Sequence, residues 1–124
     1  MTNINTLLDL KSVAAELHDA RFIASEIHYE KHEQRFHLKC WQRERQQRSN
    51  AHPWKAWSLC FRQVLDWTII IHEEVNFYEL STIRFLADEQ RLDLIAHYGA
   101  ELSLLVEELN GTLTQLSETR EAGI

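Results

Sequence analysis

Two stretches of this chain fold back on themselves with both charges and apolar residues matched, and they constrain its architecture more than any other feature. Turning residues 22–43 about His32 and Glu33 sets Tyr29 against Phe36, His28 against His37 and Ile27 against Leu38. The same register sets Glu30 against Arg35 and Glu26 against Lys39. Turning residues 80–97 about Asp88 and Glu89 sets Phe85 against Leu92, Arg84 against Asp93 and Ile83 against Leu94. Registers chosen from the apolar faces satisfy charge as well, so two antiparallel hairpins are expected.

The rest of the chain extends that frame. Residues 4–18 carry Leu7, Leu8, Leu10, Val13, Ala14 and Leu17 at helical spacing, with Asn5 or Thr6 as a cap and a break expected near Lys11 and Ser12. From Arg21 the period changes to two. Strands are expected at about 21–30, 35–43, 56–63, 65–72, 76–87 and 91–97. Residues 100–111 fit a helix through Leu102, Leu105, Val106 and Leu109, or a strand through the alternation of Leu102, Leu104 and Val106. The strand is preferred because it covers the edge of the neighbouring hairpin. Residues 112–124 turn polar and read as a frayed tail. No repeat of solenoid period is visible. The expected fold is α+β in one domain, residues 1–124: an N-terminal helix, a β-rich body over 21–109 forming a mainly antiparallel twisted sheet of about six or seven strands, and the tail.

Length and charge narrow the functional classes. A chain of 124 residues buries roughly two thirds of its unfolded surface, enough for one core. Its net charge of −6 disfavours nucleic acid and anionic membranes as partners. The basic run 42–48 is the local exception and reads as a solvated connection rather than an anion site. The apolar run 67–71 is too short to span a bilayer, and residues 1–9 hold no Lys or Arg, so the expected location is cytoplasmic. With 3 Gly and 1 Pro, and no glycine spacing of the required kind, a P-loop or dinucleotide cradle is excluded.

Candidate chemistry is sparse. Cys40 and Cys60 lie within expected strands and form no CxxC motif, and no serine sits in a GxSxG or SxxK setting. His72 with Asp66, Glu73 and Glu74 reads as an ordinary polar loop. Adjacent His18 and Asp19 can form a base and its orienter only on a turn or helical backbone; as bonding groups where the helix stops they need no such role. His28 and His37, opposed by the hairpin register, are the candidate metal ligands, given a third ligand such as His32 or a carboxylate. Among the aromatic residues, Trp57 alternates with Leu59 and Phe61 as a core strand does. Trp41 and Trp54 are therefore the candidates for a partner surface, and the register places Trp41 beside His28 and His37.

The order of Leu17-His18-Asp19, a strand, a hairpin, and then Leu59, Phe61 and Val64 resembles small bacterial β-rich domains, including immunity proteins of polymorphic toxin systems. The resemblance covers about residues 17–109 and carries no site residues across. It implies a cytoplasmic protein without catalytic residues or cofactor that binds a partner, such as a basic toxin domain. The expected function is thus a non-enzymatic protein-binding module using Trp41, Trp54, His28 and His37. The alternatives are a metal-binding protein or metal-dependent enzyme at His28 and His37, and a structural homodimer joined to a second copy of itself.

Overall fold

The structure, a computed structural model, describes residues 1–43 and 54–120. Ten strands and one α-helix follow in order: β1 (Thr2–Ile4), α1 (Leu7–Glu16), β2 (Arg21–Phe22), β3 (Ile27–Glu30), β4 (Arg35–Arg43), β5 (Trp54–Phe61), β6 (Val64–Ile71), β7 (Tyr78–Leu86), β8 (Arg91–Ala96), β9 (Ala100–Val106) and β10 (Gly111–Arg120). An antiparallel α+β architecture is present, but with ten strands rather than six or seven. The difference lies at the ends and in one split. The three N-terminal residues of β1 form an edge, residues 21–30 divide around a 3₁₀ turn at Ala24–Glu26, and residues 112–120, expected as a polar tail, belong to β10. Residues 100–106 take the strand form.

Local chemistry accounts for α1. Thr6 Oγ1 accepts from the Asp9 N–H at 3.1 Å while the Asp9 carboxylate accepts from the Thr6 N–H at 3.2 Å, a reciprocal cap that fixes the start. The helix runs unbroken through Lys11 and Ser12, and Leu10, Val13 and Leu17 bury the stripe that faces β7. None of the helices among the described residues is long and apolar enough to cross a membrane.

Near their turns both hairpins hold the expected register, with Glu30 opposite Arg35, His28 opposite His37, Arg84 opposite Asp93 and Ile83 opposite Leu94. At the open end of the second, an irregularity between Leu80 and Thr82 shifts it by one, so that Leu80 faces Ala96 and not His97. The first ladder stops at Ile27. Glu26 still reaches Lys39 at 3.9 Å from the turn, but Trp41 pairs with Arg21 and Ala56 rather than with Ala24.

The sheet repeats itself in a way the expected strands did not reveal. β3–β4–β5 and β7–β8–β9 are each antiparallel meanders, and each is completed by the strand that follows the other one: β10 pairs with β5, and β6 pairs with β9. Ile27, Tyr29, Glu33-Gln34-Arg35 and Leu38 recur as Ile83, Phe85, Glu89-Gln90-Arg91 and Leu94. Gln34 and Gln90 both take the left-handed conformation at the same turn position, with φ of 53° and 49°. The Gln34 carbonyl accepts from the Val64 N–H and the Gln90 carbonyl from the Val106 N–H, each at 2.9 Å, and these two valines pair across β6 and β9. The halves are thus related by a topological two-fold near that pair. Their inner faces share one core, built from Phe36, Leu38, Leu59 and Phe61 on one side and Leu92, Leu94, Leu102 and Leu104 on the other. Short β2 pairs with β4 on one edge and β7 on the other, which joins the halves.

Candidate functional site

β2 and β7 also assemble the site. The chain leaves α1 through His18 and Asp19, and Asp19 adopts φ of 69°, a left-handed backbone that aspartate tolerates better than most residues. Its N–H donates to the Leu80 carbonyl, and the Leu80 N–H donates to the Ala20 carbonyl, so the turn is fastened to β7. On the other side of β7, the His97 N–H donates to the Glu79 carbonyl just past the end of β8. One strand therefore carries a turn on each flank and brings together residues 78 positions apart.

There His97 Nε2 lies 2.6 Å from Asp19 Oδ1, and His18 Nδ1 lies 3.3 Å from Asp19 Oδ2. The two imidazoles meet edge to face with centroids 5.1 Å apart. A ligand atom from each of His18, Asp19 and His97 falls within 4.8 Å of the others, the one group of His, Cys, Asp and Glu among the described residues that converges so closely. Two imidazoles and a carboxylate are a donor set for zinc, nickel, cobalt or iron, and three protein ligands leave coordination positions open. Clefts of about 350 and 540 Å³ flank the group. The smaller is walled by Arg21, Gln42 and Trp54, the larger by Phe77, Tyr98 and Glu74, and Glu79 borders both. The Arg21 guanidinium lies over the rings of Trp54 and Phe77, 4.5 and 4.0 Å from their centroids, which holds a cation in the wall.

A family described as "Protein of unknown function (DUF2948)" matches residues 5–123. The chain belongs to the DUF2948 family. Searches of curated proteins and of solved structures find no match.

The residues singled out from the sequence of this DUF2948 chain fall elsewhere. His28 and His37 do stand together on the outward face of β3 and β4, ring centroids 5.9 Å apart, with Glu30 between them. Trp41 and Trp54, expected to offer a contact surface, are inside, 1% and 9% exposed. They pack with Ala56 and Leu116 into a small second core on the side of β4 and β5 away from the main one. Lys39 covers the Trp41 ring at 4.9 Å and pairs with Glu118. His52 and most of the basic run 42–48 lie outside the described residues. His18 and Asp19 were visible as a pair at the end of the helix, but His97 was missed as their partner. The missing information was the pairing of β2 with β7, which no local pattern announces.

Proposed function

We propose that this chain is a transition-metal-binding domain whose metal is held by His18, Asp19 and His97 at the mouth of the cleft. The observation that carries this reading is the convergence of two imidazoles and one carboxylate from opposite flanks of β7. Among the described residues the set numbers two histidines and one carboxylate, and three such ligands suit a metal that exchanges a further ligand better than a closed structural site, which takes four protein ligands. The neighbouring Arg21 supports an anionic group as that ligand, since a guanidinium stacked on two rings is positioned in advance. Calorimetric titration with zinc, nickel and cobalt tests it. The wild type is expected to bind with a rise in thermal stability, about 2.7 kcal/mol at one hundred times the dissociation constant. His97→Ala and Asp19→Asn are expected to lose at least tenfold in affinity at this site; Asn keeps the left-handed backbone. Unaltered binding in both variants would sink the assignment.

A protein-binding role is the second reading, favoured by a different observation. β6 ends the sheet, and among the described residues nothing pairs with its outer edge, although Leu65, Ile70 and Ile71 on it and Leu105 on neighbouring β9 are exposed. Its counterpart across the two-fold, β10, has the same edge covered by β1. An apolar uncovered edge accepts a strand from a partner, and the net charge of −6 favours a basic one, as in a toxin-neutralising protein.

A further inference from the structure

The outward face of the first half holds an unusual row. His28, His37 and Cys60 occupy adjacent register positions on β3, β4 and β5, and Glu30 joins them from two residues along β3. His28 Nε2 and His37 Nε2 lie 3.7 and 3.6 Å from the same oxygen, Glu30 Oε1. Those separations are too long for hydrogen bonds. They match the spacing of about 3.4 Å between two ligand atoms of one tetrahedral ion with bonds near 2.1 Å. Among the described residues, the buried His37 Nε2 and Glu30 Oε2 have no hydrogen-bond partner. Buried polar atoms are nearly always bonded, so two orphans in one cluster demand an explanation.

The other half of the molecule supplies the comparison. The corresponding row there is Arg84, Asp93 and Ser103, and it is closed: Asp93 accepts from Arg84 Nε and Arg91 Nε at 3.0 Å each and from Ser103 Oγ at 2.9 Å. One row satisfies its polar groups internally and its twin does not. The twin has exchanged arginine, aspartate and serine for two histidines and a cysteine, all metal-ligating groups.

We propose that His28, His37, Glu30 and Cys60 form a second metal site, for an ion of the zinc, nickel or copper class, separate from the His18–Asp19–His97 centre. Two gaps remain to close, since neither His28 with His37 nor Cys60 with the His37–Glu30 pair converges as closely as His18, Asp19 and His97 do; His28, its side chain 68% exposed, is the arm free to move. Ligation by Cys60 takes the thiolate, so the thiol proton leaves to solvent as the metal–sulfur bond forms. Burial holds this thiol above its ordinary value, with Arg62 and Arg35 opposing and Glu30 adding to it.

Titration of the full chain with cobalt(II) separates this site from the other. The expected complex shows a thiolate-to-cobalt charge-transfer band in the near ultraviolet. Cys60→Ser is expected to abolish the band, and His28→Gln, at an exposed position that does not threaten the fold, to weaken its appearance at least tenfold. His97→Ala should leave the band intact and remove only the metal bound without it. A band unchanged in Cys60→Ser, or binding unchanged in His28→Gln, overturns the proposal. A complex lost in His28→Gln but lacking the band overturns the assignment of Cys60 and keeps the other three ligands.

Discussion

Asp93 shows how a single residue can be both buried and charged in a small domain. Its side chain is 6% exposed, and burial alone pushes a carboxyl up. The bonds from Ser103, Arg84 and Arg91 outweigh that and hold it below its ordinary value of 3.8. A lowered carboxylate contributes stability that is present above 3.8 and lost as pH falls through the lowered value. Asp93→Asn leaves two guanidinium groups facing a neutral amide, and a loss of about 2 kcal/mol is expected at neutral pH. Urea denaturation at pH 7 and at pH 3 checks this, with the difference between variant and wild type expected to shrink at the lower pH. A constant difference would mean that the charge of Asp93 contributes nothing. The Arg84–Asp93 pair was legible in the sequence because it falls within one hairpin. Asp19 with His97 was not, because their meeting depends on a two-residue strand pairing that carries no pattern of its own.

Among the elements, legibility follows the same division. β3, β4, β7 and β8 were readable because their partners are adjacent in sequence and their faces alternate. β10 was not: Thr112, Thr114 and Gln115 make it look polar, yet Leu113 enters the core and Gly111 lies so close to β5 that an added Cβ would stand 2.6 Å from Phe61 Cδ1 and 2.8 Å from the Cys60 carbonyl oxygen. Trp41 failed for a related reason: it sits on the outward face, as expected, but Trp54 and Leu116 cover that face. Among the described residues, β6 keeps an outer edge that nothing covers. Ile70 is 49% exposed on the uncovered edge strand, so Ile70→Lys should leave the fold and its melting temperature within a few degrees of the wild type. Cross-linking in host extract, followed by identification of the captured chain, is expected to recover a partner with the wild type and to lose it with Ile70→Lys. Recovery of the same species by both would remove the protein-binding reading. Light scattering on the purified chain identifies the case in which the partner is a second copy, since a doubled mass would then revert to monomer in the variant.

For the molecule as a whole, the exchange of fourth strands has a thermodynamic consequence. The first meander lacks its final strand until β10 arrives from the far end of the chain, and the second lacks its own until β6 arrives from between them. Neither half can bury its inner face alone, because Leu38 and Leu59 pack in the same core as Leu94 and Leu102. Val64 and Val106, both buried, tie the exchange together at the two-fold. Two folding units joined in this way should behave as one, despite a repeat that in another topology would allow the halves to melt separately. The expected outcome is a single transition in urea. Tryptophan fluorescence reports the first half through Trp41, Trp54 and Trp57 and its junction with β6 through Trp67, whose ring packs against Tyr29 and Phe36, and it should coincide with far-ultraviolet circular dichroism, which reports both halves. Replacing Trp67 with Phe leaves the fluorescence signal dominated by β4 and β5, and its midpoint should still match the dichroism midpoint of the same variant. Two separated transitions, or a fluorescence midpoint that departs from the dichroism midpoint, would show that the halves are independent and that the exchanged strands only link them. A single transition would tie both candidate metal sites to the same equilibrium: a metal bound on the outward face of the first half would then protect the His18–Asp19–His97 cleft from global unfolding as effectively as a metal in the cleft at the same ratio of concentration to dissociation constant.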